Sequence, residues 1–409
     1  MDIVYLHQYF KFPNEAGGTR SYDLATEFTK KSYKVQIITS TSDPKYKSRQ
    51  TWVTVERDQL IIHYVYLPYG NHLTYLKRTL VFFKFLWFAT LKLLALNGDV
   101  VLATSTPLTI GIPAVIKKLI HKTPFIFEVR DVWPETVIAV GAVKKKFLQN
   151  ILYRLEKLIY NYADAIVPLS VDMNHSIVSR YPELACKPIE VIENISEIER
   201  FQKVDQTTSI IADKIGFKPR FTVLYAGTFG RVNGLGYTLD LAKALVDIDP
   251  SIVFVLIGSG AELELLIEKS VEFGVLNKNV FFLDQITKDQ LSQFYYEADM
   301  GSSFVIGVKE LWANSANKFF DTLAAGRPIL INHGGWQADL ISTHNLGFVL
   351  PTRLDADEIT SFVSYTRNCQ LLIEQRQNAF LVAKQKYSLA IASKKYESIL
   401  KQVKRNSDV

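Results

Sequence analysis

Cysteine is almost missing from this chain. Cys186 and Cys369 are the only two in 409 residues, far apart and without metal-ligand spacing. A disulfide framework and a cysteine-held metal are thereby excluded, and a reducing, cytoplasmic compartment is expected. The start, MDIVYLHQYF, enters a strand pattern at once and lacks the basic n-region, apolar stretch and small-residue cleavage site of a secretory leader. There is no Walker lysine motif, no GxGxxG after the first apolar run and no nucleophile elbow, which argues against a P-loop NTPase, a dinucleotide oxidoreductase and a serine hydrolase. The seven histidines show no spacing that suggests a metal. Low-complexity tracts and short internal repeats are also missing. No metal and no cofactor are expected.

What is present is core-forming sequence. With 48% hydrophobic and 22% charged residues the chain is globular, and 409 residues favour two domains, since single cores stop growing at about 250 to 300 residues. Charge is divided unevenly. Residues 1–190 hold 24 Lys and Arg against 16 Asp and Glu, and the remainder 23 against 25. The basic residues of the first half form no nucleic-acid module, so an anionic membrane surface is the expected partner and nucleic acid is not.

Short apolar runs alternate with helical patterns, the βαβα signature of an α/β protein with parallel sheets. Ile3–Leu6, Val35–Thr39, Ile61–Tyr66, Val100–Ala103, Phe125–Val129 and Ala165–Leu169 read as strands of one domain. Phe221–Ala226, Ile252–Ile257, Val280–Leu283, Gly301–Val305, Ile329–Ile331 and Phe348–Leu350 read as strands of another. The expected architecture is two doubly wound, Rossmann-like domains facing a cleft. The first spans residues 1–190; a polar linker follows at 191–220, marked by Asn194, Asp205, Thr207 and Thr208. The second spans 221–386, and a helical segment occupies 387–409.

Ligands of such sheets sit at the carboxyl ends of the strands, which directs attention to particular loops. In SANKFFDTLAAG, Ser315–Gly326, helical spacing places Asn317, Lys318 and Asp321 on one face and Phe319, Phe320, Leu323 and Ala324 on the other. With Ser315 as N-cap and Ala316 beside it, the free N–H groups of the first turn and the Lys318 ammonium form an anion seat. Asp321, one turn deeper, suits a ribose diol. The alternative for this segment is a capped surface helix with a solvated Lys–Asp pair. Three glycine loops bear on the same cleft: Gly17–Gly18 with nearby Glu15, the loop Gly227–Gly236 with Thr228 and Arg231, and Gly258 with Gly260. Glycines there let backbone approach a ligand or simply serve tight βα turns. Arg130 and Asp131 follow a strongly apolar strand and are expected to face the site, or to form a structural ion pair at the turn. His7 ends the first strand.

Leu73–Leu96 is the second conspicuous stretch. Lys77, Arg78, Lys84 and Lys92 fall along one stripe bordering an aromatic and leucine face that includes Trp87. Such a helix lies in the headgroup plane of an anionic membrane, or packs on the sheet as a long crossover. Lys117, Lys118, Lys122 and Lys144–Lys146 lie in the same half.

PNEAGGTRSYDLA, EVRDVWPE, AGTFG and SANKFFDTLAAGRPIL, in this order along the chain, resemble glycosyltransferase family 4, and more narrowly its bacterial O-antigen, capsule and colanic acid branch. The resemblance implies a retaining enzyme of the GT-B fold, membrane-attached on the cytoplasmic side, whose C-terminal helix within 387–409 crosses back to the first domain. It would move a sugar from a UDP- or GDP-sugar to a polyprenol-diphosphate-linked glycan. It implies donor nucleotide and diphosphate contacts at Gly227, Thr228, Arg231, Gly258, Ser315, Ala316, Asn317, Lys318 and Asp321. Catalytic roles fall to Arg231, Lys318, Arg130 and Asp131, with Glu15, Gly17 and Gly18 positioning acceptor or donor. Asp321 matches the second acid of the family's EX7E pattern, whereas the first falls at Ala313, with Glu310 three residues earlier. The basic pair that holds the diphosphate in relatives falls at Thr228 and Asn233, so Arg231 and Lys318 stand in for it. A GT-B nucleotide-sugar 2-epimerase and an inactive binding subunit are the alternatives.

Overall fold

The computed structural model describes residues 1–15, 17–68, 75–105, 107–202 and 209–407, and of residues 75–79 the backbone alone. The chain divides into two compact units. The first comprises Met1–Phe12, Thr19–Glu193 and Ala392–Val409, the second Pro13–Gly18 and Asn194–Ile391.

Seven strands build the sheet of the first unit: β1 (Asp2–Leu6), β2 (Lys34–Thr41), β3 (Trp52–Arg57), β4 (Leu60–Tyr66), β5 (Val100–Thr104), β6 (Phe125–Val129) and β7 (Ala165–Pro168). Their spatial order is β3-β4-β2-β1-β5-β6-β7, parallel except where β3 runs against β4. The parallel strands read as continuous apolar runs because helices cover both faces, and Ile3, Val4, Val101, Leu102, Ile126 and Phe127 are fully buried. Strand β3 is not anticipated from the sequence. It is an edge strand with both faces partly wet, and its hairpin turns on Asp58 and Gln59, both in the left-handed region at φ 55° and 63°. Tight hairpins of this kind normally advertise themselves with Asn-Gly or Asp-Gly; Asp-Gln carries no such signal.

The second unit has six parallel strands: β8 (Phe221–Thr228), β9 (Ile252–Ser259), β10 (Val280–Leu283), β11 (Met300–Ser303), β12 (Ile329–Ile331) and β13 (Gly347–Val349). Their order is β10-β9-β8-β11-β12-β13, so the strand order reverses beside β8, the position where doubly wound sheets open a crevice. The stretch read as a linker contains two short helices, Ile198–Gln202 and Ile210–Ile215, whose Phe201 and Ile211 are buried in a core cluster of the second unit. Polar composition concealed these two apolar anchors. Asp205, Thr207 and Thr208 lie outside the described residues.

The final helix, Leu389–Ser407, contributes Tyr396, Ile399, Leu400 and Val403 to buried positions. Within the first unit, the Tyr396 hydroxyl donates to Glu128, which also accepts from Thr104 at 2.6 Å and pairs with Arg20 at 3.3 Å. Arg20 in turn donates to the Ile192 carbonyl at 2.8 Å. The helix Tyr75–Ala95 buries Phe85, Ala89 and Leu93 in the core of that unit, while Leu80, Phe83, Trp87 and Leu91 remain exposed at 60, 58, 65 and 47%. Lys84 is exposed; Lys92 lies over the Trp52 ring at 5.8 Å. The side chains of Lys77 and Arg78 lie outside the described residues.

Candidate functional site

The carboxyl ends of β8, β9 and β10 meet the start of the helix Asn317–Ala324 around a cavity of about 280 Å³. Two strand exits make its floor. Gly227 and Gly258 stand opposite each other in the parallel register, at φ 155° and 153°. A Cβ on Gly258 would lie 1.9 Å from the Gly227 carbonyl oxygen, so only glycine lets the two exits approach this closely. A Cβ on Gly227 would instead come within 3.2 Å of Lys318 Cε. Thr228 and Asn233 continue one wall, and Gly17 and Gly18, from the segment that groups with this unit, complete the rim.

The opposite wall is the helix. Ala316, Asn317, Lys318 and Asp321 all line the cavity, while Phe319, Phe320, Leu323 and Ala324 are fully buried on the other face. The two-faced pattern in the sequence is therefore realised side chain by side chain. The cap differs from expectation: Ala316 occupies the N-cap position and no side chain bonds to the first turn. Ser315 sits one residue too early. Its carbonyl accepts from the Asn194 side chain, and its buried hydroxyl has no partner. An uncapped first turn leaves its N–H groups for an anion.

Lys318 supplies the charge. Its Nζ donates to Asn233 Oδ1 at 3.0 Å and lies 4.7 Å over the Tyr225 ring. Asn233 Nδ2 and the Tyr225 hydroxyl both donate to the Thr228 carbonyl, at 2.9 and 2.8 Å, so the two groups that aim the ammonium are themselves anchored. Among the described residues Lys318 forms no ion pair with a carboxylate. Burial pushes its pKa down to about 8, with the Asp321 charge opposing the shift. An ammonium held this way gains most when an anion enters.

Asp321 is buried, and burial raises its pKa while Lys288 opposes. Its Oδ1 is 2.8 Å from Lys288 Nζ, which is 2.9 Å from Glu197 Oε1. Glu197 also pairs with Arg200. Lys288 begins the helix Lys288–Glu297 after β10, where Thr287 and Gln290 form a capping box, and with Gln285, Ile286 and Leu291 it lines the cavity. Neither Lys288 nor Gln285 stands out in the sequence. The capping-box pattern Thr287-x-x-Gln290 was the available signal for where this helix starts.

Several expected residues stand elsewhere. Arg231 is exposed on the turn Arg231–Asn233 and does not line the cavity; the Asn233 side chain from the same turn does. Glu310 is likewise exposed, on the turn Lys309–Leu311, and forms no part of the wall. Glu15 is partly buried and does not line it. Arg130 and Asp131 lie in the first unit at the end of β6, where the Arg130 N–H donates to Ser105 Oγ at 2.8 Å. Burial raises the Asp131 pKa, against the Arg130 charge, and burial with Arg130 pushes the neighbouring His7 down to about 3. Among the described residues no group of three or more His, Cys, Asp or Glu has the arrangement to hold a metal ion.

Residues 17–200 match the model of Glycosyltransferase Family 4, and residues 208–379 that of Glycosyl transferases group 1. No curated protein sequence matches the chain. Sucrose-phosphate synthase from Thermosynechococcus elongatus superposes with a TM-score of 0.75 at 15% identity, covering 98% of each chain. HepE from Anabaena, solved with UDP-glucose, gives 0.73 at 16% identity over 98% of this chain and all of that one. WaaG, a glycosyltransferase involved in lipopolysaccharide biosynthesis, gives 0.65 at 15% identity over 98 and 99%. With one of these two domain families matched in each half of the chain, and two parallel-sheet α/β units as the frame, the protein is a glycosyltransferase of the GT-B fold.

Proposed function

We propose that the protein is a retaining transferase that moves a sugar from a nucleotide diphosphate sugar to a polyprenol-diphosphate-linked glycan in the assembly of a bacterial surface polysaccharide. The observation that carries the donor half is the cavity of the second unit. Lys318 and an uncapped helix start stand over glycine-built strand exits, with the Asp321 carboxylate one turn deeper. A diphosphate at the first turn meets Lys318, and a ribose reaches Asp321. HepE, a relative in fold, was solved with UDP-glucose, which supports a uridine nucleotide as the first to test.

On this reading the protein's contribution to catalysis is electrostatic. As the sugar–phosphate bond breaks, negative charge accumulates on the diphosphate, and Lys318 with the first-turn N–H groups stabilises it. The same charge-bearing diphosphate assists attack by the acceptor on the face it leaves, so retention needs no protein nucleophile. Gly17 and Gly18 border the cavity rim, and we assign them to donor or acceptor positioning.

The lipid half of the proposal rests on the first unit. Among the described residues no helix is long and apolar enough to cross a membrane. The exposed Leu80, Phe83, Trp87 and Leu91 with Lys84, and the exposed Phe147 and Leu148 beside Lys144–Lys146, suit insertion to headgroup depth on an anionic surface. The decisive experiment incubates the purified protein with UDP- and GDP-linked hexoses, deoxyhexoses and acetamidosugars and a short-chain polyprenol diphosphate glycan, following products by mass spectrometry and anomeric NMR. Transfer with the donor's anomeric configuration kept is expected for one donor. Inversion would overturn the retaining assignment, and transfer only to water-soluble sugar phosphates would overturn the lipid acceptor.

A further inference from the structure

Asp321 does not stand in the cavity alone. Lys288 approaches the same carboxylate from a different element, and its ammonium lies 2.8 Å from Asp321 Oδ1 and 2.9 Å from Glu197 Oε1. All three side chains are nearly fully buried, at 6 to 7% exposure, yet Lys288 and Asp321 both border the cavity. An ammonium has three N–H donors, and two carboxylates occupy two of them. The third is used by neither carboxylate; the ammonium also lies 5.9 Å from the centre of the Phe201 ring, and Lys288 borders the cavity. The carboxylate in turn uses Oδ1 for Lys288, which leaves Oδ2 as an acceptor.

This is a complementary pair, one donor and one acceptor fixed side by side in the lining of the cavity. A vicinal diol offers the matching set, since each hydroxyl both donates and accepts. We propose that Lys288 is the second member of the ribose subsite: its ammonium donates to one ribose hydroxyl oxygen while Asp321 accepts from the hydroxyl protons, so that the pair selects ribonucleotides over 2′-deoxyribonucleotides. Glu197 is the positioning residue. It balances the Lys288 charge from behind, so the ammonium is not drawn wholly onto Asp321. The inference rests on the nucleotide reading of this cavity.

The energetic logic is that of a polar site built for a hydroxyl. A ligand lacking the hydroxyl leaves buried donors and acceptors unmatched, which discriminates more strongly than a missing apolar contact. The test compares UDP, 2′-deoxy-UDP and inorganic diphosphate by calorimetry on the full chain. Wild-type protein is expected to prefer UDP over 2′-deoxy-UDP about tenfold or more, a hydrogen bond to charged groups being worth at least about 1.4 kcal/mol. In Lys288→Met that ratio falls by about threefold or more, Asp321 alone remaining to read the hydroxyls, while affinity for inorganic diphosphate, which meets Lys318, stays at the wild-type value. Glu197→Gln lowers the ratio partially by the same route. Should Lys288→Met fail to fold because two buried carboxylates lose the cation they share, the double variant Glu197→Gln, Lys288→Met, which removes one of those charges, carries the comparison. A wild-type preference retained in full by the folded Lys288 variant overturns the inference and leaves the nucleotide reading standing. Failure of the wild type to bind UDP at all overturns the nucleotide reading itself.

Discussion

Lys318 is the residue on which the proposed donor site depends, and its environment dictates a pH signature. Its pKa is pushed from 10.5 down to about 8 by burial. Between these two values the unfolded chain binds more protons than the folded one, so this residue's contribution to stability rises as pH increases from about 8 toward 10.5. Anion binding runs the other way, because only the ammonium attracts a diphosphate. Calorimetric affinity for UDP should therefore fall as pH rises past about 8, and Lys318→Ala should remove that decline while costing about 1.5 to 3 kcal/mol at pH 7. Equal pH profiles for the two proteins would remove Lys318 from the site. At Asp321 the discriminating ligand pair is nucleotide against inorganic diphosphate. Asp321→Asn should weaken UDP by about 1 to 3 kcal/mol and leave inorganic diphosphate within experimental error; equal losses would assign Asp321 a structural role only.

At the scale of elements, the strand exits and one helix carry the tests. Gly258→Ala places a methyl against the Gly227 carbonyl in a backbone region that L residues avoid. Strain of about 1 to 3 kcal/mol or more is expected from the backbone alone, visible as a lowered Tm together with lost UDP binding. Gly274 is also left-handed, at φ 66°, but has open space around it, so Gly274→Ala should cost only about 1 kcal/mol. The helix Tyr75–Ala95 separates packing from surface in the same way. Leu93→Ala, in the core, should cost about 2 to 5 kcal/mol of stability. Lys84→Glu combined with Trp87→Ser, on the exposed side, should leave Tm unchanged and weaken flotation with phosphatidylglycerol vesicles, each basic residue near the surface being worth about 1 kcal/mol. Wild-type Trp87 fluorescence should shift to the blue on vesicle addition. Wild-type protein that never floats at low salt would reduce this helix to a crossover on the sheet. Lys92 is not part of the test, because it lies over Trp52 and burial lowers its pKa.

For the molecule as a whole, the first unit is built from both ends of the chain. The link is chemical as well as apolar: Tyr396 reaches Glu128, whose buried carboxylate is held below its usual range, burial being outweighed by Arg20 and Arg130. A folded carboxylate with a depressed pKa contributes stability that is present above the unfolded value and disappears as pH falls through the folded one. Tyr396→Phe should therefore cost about 1.5 to 3 kcal/mol at pH 7, and the cost should shrink once acidification passes below the ordinary glutamate range and Glu128 protonates. Removing residues 392–409 should be far worse than the single substitution, since it also strips Ile399, Leu400 and Val403 from the core. A truncated chain that keeps the wild-type Tm would refute the role of this helix in the first unit.

Periodic features needed no tertiary information. Alternating apolar runs and helical stripes located twelve of the strands, and the two faces of Asn317–Ala324 were readable because helix geometry maps spacing onto direction. Glycine pairs marked strand exits for the same local reason. What escaped was whatever depends on neighbours distant in the chain. Strand β3 exists because β4 offers it an edge, Phe201 and Ile211 are core because the second sheet covers them, and Arg231 is exposed because its turn points Asn233 inward instead. Lys288 and Glu197 look like ordinary surface charges until folding brings them to Asp321. Spacing along a chain encodes which face a side chain takes; only the packed structure decides which charges meet, because burial and pairing are properties of the assembled neighbourhood.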